Sequence, residues 1–195
     1  MSIEKHPLQP FLPKNAVIMM LGSFPPKKEK WSMDFFYPNW INDMWRIMGL
    51  VFYNDKEHFI AEEDARKVKR FDKEKCAGFA EAKGIAMFDT AREVRRLKDN
   101  ASDKFLEIVT PTDIEGLLDH IKECEAIVTT GQKATDVICS TFGCPEPSVG
   151  NFTEMTIGSR RLRFWRMPSS SRAYPLALEK KAEHYRKMYE YEKLI

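Results

Sequence analysis

Apolar and polar positions along this chain fall into short blocks whose period switches between strand and helix. Ala16-Val17-Ile18-Met19-Met20-Leu21 is an unbroken apolar run, the pattern of a strand buried on both faces. Pro7, Pro10 and Pro13 precede it, deny helix to the opening residues and predict an extended arm over 1–15. Met44, Trp45, Ile47 and Met48 fit a helix from Asn42 to Met48 that Gly49 terminates. The charged stretch from Ala61 to Lys83 carries Val68, Phe71, Phe79 and Ala82 and predicts one or two surface helices. Gly84-Ile85-Ala86-Met87-Phe88 reads as another buried strand, and Thr90-Ala91-Arg92-Glu93 has the form of a capping box that opens a helix. Leu117, Leu118 and Ile121 mark a helical face within Ile114 to Ile121, Ala126-Ile127-Val128-Thr129 a strand, and Gly131 the start of a helix through Ala134, Val137 and Ile138. A hairpin about Gly158-Ser159 joins Thr153–Ile157 to Arg161–Met167, and a last helix begins near Leu176 with the stripe Leu178, Ala182, Tyr185 and Tyr189.

Strands alternating with helices predict a three-layer α/β/α fold with a mostly parallel central sheet. At 195 residues and 43% hydrophobic content, the chain is expected to fold as one domain over 1–195. Loops after the strands of such a sheet share one edge, where ligands bind. Four polar runs occupy these positions: Leu21-Gly22-Ser23-Phe24-Pro25, Phe88-Asp89-Thr90, Thr129-Thr130-Gly131-Gln132-Lys133 and Met167-Pro168-Ser169-Ser170-Ser171-Arg172. They are expected to converge on one crevice.

A net charge of +2 does not mark a nucleic-acid binder, so the placement of charge matters more than its total. Arg160, Arg161, Arg163, Arg166 and Arg172 crowd the last strand and its loop, and Lys27, Lys28 and Lys30 follow the first loop. Both groups read as candidate phosphate contacts. Cys76, Cys124, Cys139 and Cys144 have no metal-site spacing, so no metal is expected. A secretory leader pattern and an apolar run of roughly 18 residues are both missing, so a soluble, intracellular (cytoplasmic) protein with reduced thiols is expected.

Between the first loop and the helix, Phe35-Phe36-Tyr37-Pro38-Asn39-Trp40-Ile41-Asn42 can stack a planar ring and read its edge, or can supply core rings and a helix cap. Gly22 and Pro25 let backbone N–H groups face a developing anion. Ser169, Ser170 and Ser171 suit phosphate oxygens, and Gly131-Gln132-Lys133 offers a helix N-terminus. His6, His58, His120 and His184 stand apart from the four loops in sequence and read as surface or packing residues, so histidine catalysis is not expected.

In their order along the chain these runs resemble the uracil-DNA glycosylase superfamily, most closely the hypoxanthine- and uracil-excising branch related to mismatch-specific glycosylases. Gly22-Ser23-Phe24-Pro25 is similar to its first motif. Phe36-Tyr37 followed by Asn42-Asp43-Met44-Trp45-Arg46-Ile47 resembles its aromatic pair and Asn-x-aromatic-Trp run. Gly84-Ile85-Ala86-Met87-Phe88-Asp89 resembles its second strand, Gly131-Gln132-Lys133-Ala134 its Gly-x-Lys-Ala turn, and Met167-Pro168-Ser169-Ser170-Ser171 its closing Pro-Ser loop. Three motifs depart from relatives: Ser23 and Phe24 replace an Asp or Asn, Met167 stands where many carry His, and Thr130 where the branch often carries Asn.

The resemblance implies a monofunctional DNA glycosylase of base excision repair that flips a deaminated base, uracil or hypoxanthine, and hydrolyses its N-glycosidic bond without a cofactor. It makes Asn42 the catalytic residue and places Gly22, Ser23, Phe24, Phe36, Tyr37 and Thr130 around the base. Lys27, Lys133, Ser169, Ser170, Ser171 and Arg172 then contact DNA, and the protein is expected to act as a monomer away from membranes. The alternative is a non-catalytic nucleic-acid or nucleotide-binding module on the same fold, which the replaced Asp and His favour.

Overall fold

The structure, a computed structural model, describes residues 2–97 and 105–195. Its elements begin with β1 (Glu4–Lys5), β2 (Ile18–Gly22), α1 (Met44–Tyr53), β3 (Ile60–Glu63), β4 (Arg66–Phe71) and α2 (Lys73–Ala82). They continue with β5 (Ile85–Asp89), β6 (Ala91–Arg96), β7 (Leu106–Pro111), α3 (Ile114–Leu118) and β8 (Ala126–Thr130). The chain closes with α4 (Gln132–Phe142), β9 (Asn151–Ile157), β10 (Arg160–Met167) and α5 (Leu178–Tyr191).

The fold is mixed α/β around a central, mostly parallel sheet in the order β5-β2-β8-β10-β9. The first four strands run parallel and β9 runs antiparallel to β10. β2, β5 and β8 are buried at every residue, which is why they read as apolar runs rather than as alternating ones. On one face α1 packs on α5, and Tyr189 donates its hydroxyl to the sulfurs of Met20 and Met48, tying both helices to β2. Because the four parallel strands point the same way, their C-terminal ends form one edge, and the four polar loops leave from it.

Three elements differ from the sequence pattern. Residues 61–83 hold one helix, α2, preceded by the hairpin β3–β4. Asp64 and Ala65 both adopt positive φ (48° and 60°), and this two-residue turn brings Glu63 opposite Arg66. Helix begins only at Lys73, where the Asp72 side chain caps the Lys75 N–H.

The second difference is at Thr90-Ala91-Arg92-Glu93, which opens a strand, β6, and not a helix. Of the groups that a capping box needs, the Thr90 N–H and the Glu93 carboxylate are engaged elsewhere, while the buried Thr90 hydroxyl has no hydrogen-bond partner among the described residues. The Thr90 N–H donates to Gly22 O at 2.8 Å, and Glu93 accepts the Thr110 hydroxyl across the ladder at 2.6 Å. Ala91 and Val94 bury themselves with Leu106 in a small separate core. The third difference is at Gly49, which lies inside α1; that helix runs on to Tyr53 and ends at Asn54 in the left-handed conformation (φ 56°).

The opening segment is laid along the sheet. β1 pairs antiparallel with β6, in the sheet ordered β1-β6-β7, and Phe11 exchanges both backbone hydrogen bonds with Met87 of β5. Among the described residues no helix is long and apolar enough to cross a membrane.

Candidate functional site

Gly22 ends β2 against the side chain of Asp89, which ends β5. A Cβ on Gly22 would collide with Asp89 Oδ1 and would lie 3.9 Å from Thr130 Oγ1, so the glycine is what lets the three strand ends close up. Thr130 ends β8 and shares a 3.2 Å hydrogen bond with the Tyr37 hydroxyl. Tyr37 itself holds a positive φ of 52°, a conformation that only surrounding structure can enforce on an aromatic residue. Burial pushes the Tyr37 pKa up, with Asp89 adding to the shift and the Thr130 hydrogen bond opposing it, so the phenol stays protonated.

The serine loop closes the fourth side. Gly131, at φ 101°, donates its N–H to Met167 O at 3.2 Å, and its missing side chain admits Ser169 to van der Waals distance. Ser171 pairs with Asn42 in an isolated bridge, and the Asp43 N–H donates to Ser170 O at 2.8 Å. Below that bridge Asp43 accepts from Arg172 Nε at 2.9 Å and from the buried Lys181 at 3.3 Å, and Lys181 also donates to Ser171 O.

The Asn42 side chain shows a defined amide orientation. Its Oδ1 accepts the Met44 N–H at 2.9 Å, as a residue before a helix does, and this hydrogen bond identifies the oxygen. The Nδ2 group has no hydrogen bond among the described residues, and Oδ1 retains a second lone pair.

Phe36 is 4% exposed and packs on Phe35, Phe88 and His6, while the half-buried Tyr37 carries the polar contact to Thr130. Phe24 packs edge-on against His6 and beneath the Arg96 guanidinium. Lys27 and Ser23 lie in the first loop, and Lys133, half-buried, lies in the first turn of α4.

Two expectations from the sequence are overturned. His6 is a packing residue, against Phe24, Phe36 and Phe88, but it does not stand apart from the loops: its ring is almost fully buried and Nε2 stands 2.9 Å from Asp89 Oδ2. A carboxylate only accepts, so Nε2 is the donor. Sequence distance concealed this contact, because it depends on the β1–β6 pairing, which no local pattern announces. A carboxylate therefore does stand in the crevice, supplied by the strand beside the first motif.

The second correction concerns the arginines of β10, which do not form a phosphate-facing cluster. β10 runs toward the crevice, so Arg160, Arg161 and Arg163 lie toward its far end. Arg160 donates to the carbonyls of Leu118, Ile121, Lys122 and Cys124. Arg161 pairs with Glu154, and Arg163 with Glu125 and Glu192. Arg166 is held by Glu146, Gln132 and Pro147 O. Of the five, Arg172 is the one joined to the loops at the crevice. Among the described residues no group of three or more His, Cys, Asp or Glu side chains could hold a metal ion.

The fold has a counterpart among solved structures. The chain matches no protein-family model and no curated protein. It is similar in structure to a protein from Methanosarcina acetivorans, solved by solution NMR and provisionally assigned as a uracil DNA glycosylase. The TM-score is 0.59 with 21% sequence identity, over 97% of this chain and 99% of that one. At that identity the likeness establishes a shared fold.

Proposed function

We propose that the protein is a DNA glycosylase that takes a flipped, deaminated base into the crevice between the four loops and hydrolyses its N-glycosidic bond. The observation that carries this reading is the meeting of Gly22, Tyr37, Asp89 and Thr130 at the C-terminal edge of a sheet with this strand order. Flipping costs a few kcal/mol and is least costly at mispaired bases, which favours uracil or hypoxanthine over normal bases. Beyond the hydrogen bond between them, the protonated Tyr37 hydroxyl and the Thr130 hydroxyl keep one donor and at least two acceptor lone pairs, enough to read a base edge.

In this reading the transition state places positive charge on the sugar and negative charge on the departing base. The Ser23 and Phe24 backbone and the α4 N-terminus face the base anion. Asp89, oriented by His6, supplies negative charge for the sugar. Asn42, its oxygen fixed by the Met44 N–H, positions the attacking water through its second lone pair or Nδ2. Ser169, Ser170, Ser171, Arg172, Lys27 and Lys133 hold the strand. DNA repair is the corresponding role, with the protein acting as a monomer.

A second reading, a nucleic-acid-binding module without hydrolysis, is favoured by one observation: Asn42 Oδ1 is already engaged by the Met44 N–H at the start of α1. The experiment that separates them is incubation with duplex oligonucleotides carrying uracil, hypoxanthine or xanthine, followed by alkali. Strand breaks at the modified base support the glycosylase; tight binding with no breaks supports the module.

A further inference from the structure

Behind the serine loop lies a cavity of about 360 Å³, lined by Trp40, Asp43, Arg46, Ile60 and Arg172, with Lys56 at its exposed margin. Arg46 is 7% exposed, and among the described residues it forms no ion pair. Its Nη1 donates to Trp40 O at 2.9 Å and Asn42 O at 3.0 Å, and its guanidinium plane lies 4.3 Å from the Trp40 ring and 5.0 Å from Phe71. No hydrogen bond is made by Nε or Nη2 among the described residues.

Two carboxylates, Asp43 and Glu57, also line the cavity and favour the charged guanidinium, but both are shared with other cations and leave a net positive charge beside Arg172 and Lys56. Asp43 has both oxygens engaged, one by Arg172 and one by Lys181, and Glu57 is paired with Lys67 at 3.4 Å. Burial, and next the charge of Arg172, push the Arg46 pKa down and outweigh the opposing pull of Asp43 and Glu57; the two guanidiniums repel each other across the cavity. A buried cation in this state is stabilised by an anion set between the two arginines. Guanidinium forks match tetrahedral phosphate oxygens, and Lys56 adds a third positive charge. The volume exceeds that of a bare phosphate, and Trp40, Ile60 and Leu178 give an apolar wall suited to the carbon face of a sugar.

We propose that this cavity is a phosphate site that takes one backbone phosphate, with its sugar, of the DNA strand entering the crevice. Asn42 and Asp43 join the two places, because they bridge to Ser171 and Ser170 on one side and line the cavity or cap Arg46 on the other. The proposal rests on the glycosylase reading for its source of phosphate.

The test is a methylphosphonate scan of a duplex with one tetrahydrofuran abasic analogue, each backbone phosphate near the analogue being neutralised in turn, with binding measured for the parent, Arg46→Lys and Lys56→Gln. One phosphate position should cost the parent about tenfold in affinity. Lys56→Gln should bind unmodified DNA more weakly and lose much less at that same position. Lys56 is exposed, so the comparison stands even if Arg46→Lys fails to fold. Tight DNA binding with no position coupled to either residue overturns the phosphate site and leaves the glycosylase reading intact. No binding to any duplex overturns both. A deoxynucleoside monophosphate that shifts the Arg46 Nε–H resonance as strongly as DNA does would assign the cavity to free nucleotides and overturn the DNA source.

Discussion

His6 Nε2 donates to Asp89 Oδ2 over 2.9 Å, so a residue of the opening arm holds the carboxylate that abuts Gly22. Replacing His6 with Ala leaves a buried carboxylate short of a donor, at a cost of about 1–3 kcal/mol. We expect His6→Ala to lower the denaturant midpoint and to slow base release, and His6→Gln, which keeps a donor, to recover part of both. Base release that stays at the parental rate in a less stable His6→Ala variant would confine the pair to a structural role.

The arginines of β10 and of the loop that follows it divide by partner. Arg163 holds Glu192, whose side chain is 2% exposed and also accepts from Trp165 Nε1. Arg163→Ala should therefore cost about 2 kcal/mol of stability and leave DNA affinity unchanged. Arg172→Ala should have the opposite profile, weakening DNA binding and reducing the slope of log K against log salt by about 1. Urea melts and salt-titrated fluorescence anisotropy on both variants check the division.

Tyr37, Tyr185 and Tyr189 are all pushed above the ordinary phenol value of 10, burial being the largest cause for each. The folded state thus holds three protons that the unfolded chain gives up near pH 10. Stability from this source is complete below pH 10 and declines as pH rises beyond it. A spectrophotometric titration should show the exposed tyrosines ionising first and the remaining phenolate absorbance appearing only as the protein unfolds. Smooth ionisation of all tyrosines in a folded protein would contradict the raised phenol pKa of the half-buried Tyr37 and the buried Tyr185 and Tyr189.

Much of the sheet could be read from the chain because β2, β5 and β8 are buried on both faces and leave unbroken apolar runs. β6 was hidden by a capping-box pattern whose Thr90 N–H and Glu93 carboxylate find partners on β2 and β7, at a distance that local sequence does not register. The β3–β4 hairpin was hidden by its charge, which makes an exposed two-stranded ribbon resemble a solvated helix. At the site, the loops announced themselves through Gly22, Gly131 and the serines. His6, Arg46 and Lys181 did not, because each acquires its meaning from a single long-range contact or from the lack of one.

Single-turnover base release from a uracil- or hypoxanthine-containing duplex, measured on the parent and on Asn42→Ala together with their DNA affinities and melting temperatures, decides whether the protein cleaves the N-glycosidic bond and whether Asn42 takes part. The account predicts release by the parent and a loss on the order of 100- to 1000-fold in Asn42→Ala. It predicts near-parental DNA affinity and a stability cost of about 1 kcal/mol from the lost helix-start hydrogen bond. A parent protein that binds these duplexes tightly yet releases no base would contradict it.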